Sequence, residues 1–258
     1  MVNHSLNFKG WETEVGKFDG GYVSTDGGAL LLREVEARTG VISELADCFQ
    51  DHRNPALIEH TVEELVAQRV YSLALGYEDL DDHDRLRTDP LLALAVGKTD
   101  LTGENRRSAE YRGKALVGKS TLNRLELSTE KCDRYCRTQV NTNMVREALV
   151  SSCIRITEMK KRTPKELVLD IDATDDKIHG DQEGKHFNRY YDSHCYQPLY
   201  IFCNDHPLCA LLGTSSIDPA RNSAEQLHHQ QVEIKVAQGG DCCTGRQRIQ
   251  PGLHYEMV

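Results

Sequence analysis

No run of about eighteen apolar residues occurs anywhere in the 258-residue sequence, which argues against a membrane-spanning helix. The opening stretch MVNHSLNFKGWETEVGKFDGG lacks the basic-then-apolar order of a secretory signal, so the cytoplasm is the expected location. There is no dense cysteine framework either. The nine cysteines are scattered through helix-like and strand-like segments, as expected of reduced, buried thiols. Cys132 and Cys136 have helical spacing, but a zinc site there lacks a second pair of ligands. No internal repeat is present. An overall excess of positive charge is also missing: the net charge is -9, which taken alone disfavours a nucleic-acid partner.

The distribution of charge says more than the sum. Residues 1-97 carry a net -10, residues 98-165 a net +8 and residues 166-258 a net -7. A basic middle between acidic flanks fits a chain in which one segment grips DNA and another gathers metal-binding carboxylates; a solvated basic helical face fits equally well. The length suits one large domain or two ordinary ones, and two are expected.

Residues 26-40 predict an amphipathic helix, with Leu30, Leu31, Leu32 and Val35 on its apolar face and Gly40 at its end, and a short helix is expected at 42-50. Thr61 and Glu64 form a capping box ahead of Val62, Leu65, Val66, Val70 and Leu73. The acidic stretch 77-84 reads as a polar connection. Asp89 and Pro90 then suit the N-cap and first position of a helix ending at Gly97. Ser120 or Thr121 is placed to cap another helix, and 129-160 has mostly helical periodicity, so 1-160 is expected to be a helical region.

From Lys165 the pattern changes to short apolar runs at 167-171, 200-202 and 209-212, the last two joined by the turn composition Asn204-Asp205-His206-Pro207. A polar helix at 222-230 and a strand at 232-237 complete an α/β pattern over 165-258. The most informative stretch is LVLDIDATDD at 167-176. On a strand, alternate residues share a face, so Asp170 and Asp172 point the same way. Two such carboxylates repel one another at the end of a buried strand unless a cation or hydrogen bonds offset the cost. A hard divalent ion such as magnesium is one solution, and a strand end that simply reaches solvent is the other.

Several long segments carry a resemblance. GYEDLDDHDRLRTDP (76-90) with LVAQRV before it, STLNRLE (120-126) and LDIDATDDKIHGDQEGKHFNRYYDSHCYQPLYIFC (169-203), in this order, resemble the insertion-sequence 1380 family of bacterial DDE transposases. That resemblance implies an RNase H-like catalytic domain, incomplete in this chain, in which three acidic residues hold two Mg2+ (or Mn2+) ions for DNA strand cleavage and transfer. It implies DNA partners, namely the element's terminal repeats and the target, and a homo-oligomer when active. The first acid matches Asp172, in the D-x-T setting of Asp172, Ala173 and Thr174, with Asp170 in reserve as a metal ligand. The second matches Asp241, although Cys242-Cys243 departs from the family's pattern and the preceding helix looks short. The third is expected beyond residue 258, since Glu256 lies too close to Asp241, so the chain reads as a truncated copy. A catalytically inactive DNA-binding remnant is the alternative.

STLNRLE lies in the basic middle, and Lys119, Asn123 and Arg124 are the candidate DNA contacts on a short helix; a structural helix with a solvated face is the competing reading. Gly113 to Ser120 (GKALVGKS) also matches the phosphate-cradling G-x-x-x-x-G-K-[ST] loop. That motif requires a buried strand before it, and the preceding ENRRSAEYR is too charged to supply one. In HGDQEGKHFNRYYD (179-192), His179, Lys185, His186 and Arg189 are candidates to hold phosphates or, equally, members of a mobile polar loop.

Overall fold

A computed structural model describes residues 26-128, 131-160 and 168-216, together with the backbone of a strand at 246-248. The chain divides into two compact units, the first ending at Thr142 and the second beginning at Asn143.

The first unit contains α1 (Ala29–Thr39), α2 (Val41–Asp47), β1 (Phe49–Asp51), α3 (Val62–Ala74), α4 (His83–Leu86), α5 (Pro90–Val96), α6 (Lys119–Glu126) and β2 (Thr138–Val140). Local chemistry sets the starts of α3 and α5. The Thr61 side chain accepts a hydrogen bond from the Glu64 amide at 3.1 Å, and the Glu64 carboxylate accepts one from the Thr61 amide at 2.9 Å. Asp89 accepts bonds from the amides of Leu91 and Leu92, Pro90 takes the first helical position, and Gly97 ends α5 at a φ of 99°. Leu65, Val66, Tyr71, Leu86, Leu92, Leu116, Leu122 and Leu125 meet in one core.

Several expectations change here. Leu31 and Val35 of α1 and Leu73 of α3 are exposed; Ala29 is the buried residue of α1. Residues 49-51 form β1 rather than continuing a helix, because they pair antiparallel with β2. That pairing also removes residues 138-140 from the helix expected over 129-160. Within the acidic 77-84 stretch a 3-10 turn at Leu80–Asp82 leads into α4. Helix α6 begins at Lys119 with Gly118 as N-cap and no capping side chain, so neither Ser120 nor Thr121 caps it.

A buried polar bridge ties this unit together. The Gln68 side-chain amide donates to His83 Nδ1 at 3.0 Å and to the Val117 carbonyl at 2.9 Å, and its Oε1 accepts from the Val117 amide at 3.2 Å. Gln68 and His83 are buried, so these bonds replace water that cannot reach them. One glutamine thereby fixes α3 to α4 and to the segment entering α6.

The second unit opens with α7 (Thr142–Met159) and continues with β3 (Val168–Ala173), β4 (Asp176–Lys177), β5 (His186–Asn188), β6 (Ser193–Tyr196), β7 (Leu199–Cys203), β8 (His206–Leu211) and β9 (Arg246–Arg248). One sheet has the order β8-β7-β3-β9 and a second the order β4-β6-β5. The β7-β8 hairpin turns through Asn204, whose φ of 53° is one that asparagine tolerates better than most residues. Helix α7 belongs to this unit because Cys153 and Val150 join Leu169, Leu199, Ile201, Cys203 and Leu208 in its core. The structural boundary at 142-143 therefore precedes the change of sequence pattern near 165. Cys48, Cys153, Cys195, Cys203 and Cys209 are buried thiols outside any disulfide, and burial pushes Cys203 up to about 11. Cys242 and Cys243, the helix expected at 222-230 and the strand expected at 232-237 lie outside the described residues.

Gly103 is required twice over. Its φ is 73°, and a Cβ there would come within 2.5 Å of the Lys114 backbone. Gly103→Ala is expected to destabilise the first unit by at least ~2 kcal/mol, read as a lowered midpoint in urea unfolding.

Candidate functional site

The acidic strand is built as alternation requires. Leu169 is buried against the core that includes Cys153 of α7, and Ile171 and Ala173 pack against the same core. Asp170 and Asp172 project from the opposite face, Asp170 half-buried and Asp172 exposed. β3 is flanked on both sides: Asp172 is opposite Tyr200 on β7, and Asp170 is opposite Phe202 on β7 and Arg246 on β9. Tyr200 and Phe202 lie side by side on the acidic face, ring centroids 6.4 Å apart. The Thr174 amide donates to the Pro198 carbonyl at 3.2 Å, which holds the chain where it leaves the carboxylates.

Two carboxylates on one open face of a strand are hard oxygen donors of the kind a divalent cation takes. They would fill part of such an ion's coordination shell. Among the described residues no group of three His, Cys, Asp or Glu side chains gathers at ligand distance, and Asp241 and Glu256 lie outside them. Of the 179-192 stretch, read as phosphate-holding residues or a mobile polar loop, His186–Asn188 forms a strand of the β4-β6-β5 sheet. There Lys185 pairs with Asp181 at 2.6 Å, and His186 belongs to β5.

In the first unit, α6 buries Leu122 and Leu125 and leaves Lys119, Asn123 and Arg124 outward. The three have different surroundings. The Lys119 ammonium sits 2.7 Å from Asp81 and 3.9 Å from Asp84, and the bond to Asp81 raises its pKa. Lys119 therefore clamps α6 to the acidic 80-84 segment. Asn123 is exposed. Arg124 lines a cavity of about 630 Å3 shared with Arg53, Arg87, Arg106, Arg134 and Arg137. The phosphate-loop reading loses its context here, since a 3-10 turn at Ala109–Tyr111 stands where that motif requires a strand.

The six arginines divide into two groups. Arg53 is held by Asp51 at 2.6 Å, Arg106 by Glu59 at 3.3 Å and Arg87 by Asp84 at 3.8 Å. Arg124, Arg134 and Arg137 have no carboxylate partner among the described residues. Asp133, next to Arg134 in sequence, accepts the amides of Tyr135 and Cys136 through Oδ1 at 2.6 Å each, which lowers its pKa. Cys136 Sγ then donates to the Arg124 carbonyl at 3.2 Å, fastening that turn to α6. Of these residues only Arg124 was singled out from the sequence. The others were legible only as part of the +8 segment or, for Arg53 and Arg87, not at all.

Comparison with known families bears on both regions. Residues 12–238 match the model of the family described as Transposase DDE domain group 1. The chain belongs to that family. Its substrate class is therefore DNA, and its members generally use a divalent metal. The match takes in Asp170, Asp172 and α6 and ends before Asp241. No curated protein and no solved structure matches the chain. No described helix is long and apolar enough to cross a membrane.

Two buried histidines give the first unit a pH dependence. Burial, reinforced by Lys98, Arg106 and Arg53, pushes His60 down to about 3, and burial with Arg69 pushes His83 down to about 4. Both are neutral when folded, whereas the unfolded chain titrates them near 6.5. Unfolding below 6.5 therefore takes up protons, so their contribution to stability is full above that pH and is lost as pH falls towards the folded values. The melting temperature is expected to drop between neutral pH and about 4, with a shallower slope in His60→Gln.

Proposed function

We propose that this protein is a DNA transposase of the insertion-sequence 1380 type, acting by metal-dependent strand cleavage and transfer at the ends of its element. The observation that carries the reading is the open face of β3, where Asp170 and Asp172 stand together inside the family match. In this reading the second unit is an RNase H-like catalytic domain, Asp172 is the first acid of the triad, Asp241 the second, and Asp170 a supporting metal ligand. The ions are Mg2+ or Mn2+, and when bound they activate the attacking oxygen and stabilise the leaving one in phosphodiester chemistry. The chain's own part is to hold the carboxylates at a fixed spacing. Leu169 and Ile171 do this by anchoring the strand in the core behind them.

The DNA partners in this reading are the element's terminal repeats and a target duplex, gripped by the first unit through α6, where Arg124 and Asn123 are outward and Lys119 supports the helix. The active form is a homo-oligomer in the cytoplasm.

Calorimetric titration with Mg2+ or Mn2+, paired with nicking of a plasmid that carries the element's ends, tests the proposal. Asp172→Ala is expected to abolish the binding isotherm and the nicking while leaving the melting temperature within a few degrees, since Asp172 is exposed. DNA binding without metal binding or nicking in the native chain would instead favour a DNA-binding remnant.

A further inference from the structure

We propose that the arginine-lined cavity of the first unit receives a single unpaired nucleotide of DNA, its phosphate held by Arg124, Arg134 and Arg137 and its base laid against Tyr135. The inference rests on DNA being the substrate and adds which part of the DNA this unit reads. Volume is the first argument. At about 630 Å3 the cavity falls in the range of sites that enclose one small molecule. A duplex is held instead over a broad surface of ~1,000–2,500 Å2.

Charge is the second argument. Three of the six arginines in the wall are matched by carboxylates, so their charge serves the fold. Arg124, Arg134 and Arg137 are not so matched among the described residues, and Asp133, the acid beside Arg134, makes its hydrogen bonds to the backbone amides of Tyr135 and Cys136. An anion with several oxygens answers this arrangement, and a phosphodiester accepts from guanidinium groups with suitable geometry.

The wall also carries an aromatic ring. Tyr135 is 71 % exposed, and the Arg134 guanidinium lies 5.8 Å from the centre of its ring. A ring beside unmatched arginines is the arrangement on which bases stack irrespective of sequence.

The test is fluorescence anisotropy with the full chain and two labelled DNAs of one sequence, a blunt duplex and the same duplex with a short single-stranded 3′ extension. The native chain is expected to prefer the extended DNA by about tenfold, and Tyr135→Ala and the double variant Arg134→Ala/Arg137→Ala to bring that ratio close to one. Photocrosslinking from 5-iodo-deoxyuridine in the extension should map to residues 111-137. Equal affinity of the native chain for both DNAs, or a preference that survives both variants, overturns the inference and leaves the transposase reading in place. Failure to bind either DNA overturns both. ATP binding as tightly as the extended DNA would mark a soluble-nucleotide site and also overturn it.

Discussion

The register of β3 is the constraint on which the second unit depends. Side chains alternate along a strand, so a slip of one residue would bury Asp170 and Asp172 and expose Leu169, Ile171 and Ala173. Pairing with β7 on one side and β9 on the other, and packing of the apolar face in a core shared with α7, hold the register from three directions. Asp172 is exposed and Asp170 half-buried, so solvent at Asp172 keeps the repulsion between the two carboxylates modest. The sheet thus places the acids without having to solvate them internally.

A different principle organises the helical unit. Its apolar core is interrupted by a polar bridge from Gln68 to His83 and Val117, and the Val117 backbone is thereby held at the wall of the basic cavity. Around that cavity, ion pairs use up part of the positive charge and leave the rest. Asp51, Glu59 and Asp84 face arginines, whereas Asp133 faces its own amides. The acidic residues of the unit make its net charge a poor guide to what the cavity presents. An anionic ligand responds to the unmatched guanidiniums nearby, because exposed charges farther away are screened over ~8–10 Å.

The elements that the sequence revealed are those set by near neighbours. The Thr61/Glu64 capping box, the Asp89-Pro90 start and the Gly97 stop all depend on residues within one helical turn, and the structure has them where their chemistry requires. Strand β3 was legible for the same reason, since period-two alternation of Leu169, Asp170, Ile171 and Asp172 is local. Where a partner lay far away, the reading failed. Residues 49-51 and 138-140 form strands only because they pair with each other across 87 residues or more of chain. The ion pair of Lys119, expected as a DNA contact beside Asn123 and Arg124, with Asp81, 38 residues earlier, was not legible either. Leu31, Val35 and Leu73 matched an apolar stripe whose burial was decided by which neighbours reached it.

Sequence alone determined that this chain has helices followed by strands, that Asp170 and Asp172 share one face of a strand, and, through long ordered motifs, the transposase family to which it belongs. Those properties are carried by short-range periodicity and by residue order. Tertiary structure alone decided which charges remain available, because neutralisation depends on distance in space and not along the chain. It placed α7 with the sheet, turned Lys119 into a clamp, and gathered Arg53, Arg87, Arg106, Arg124, Arg134 and Arg137, scattered over 85 residues, around one cavity.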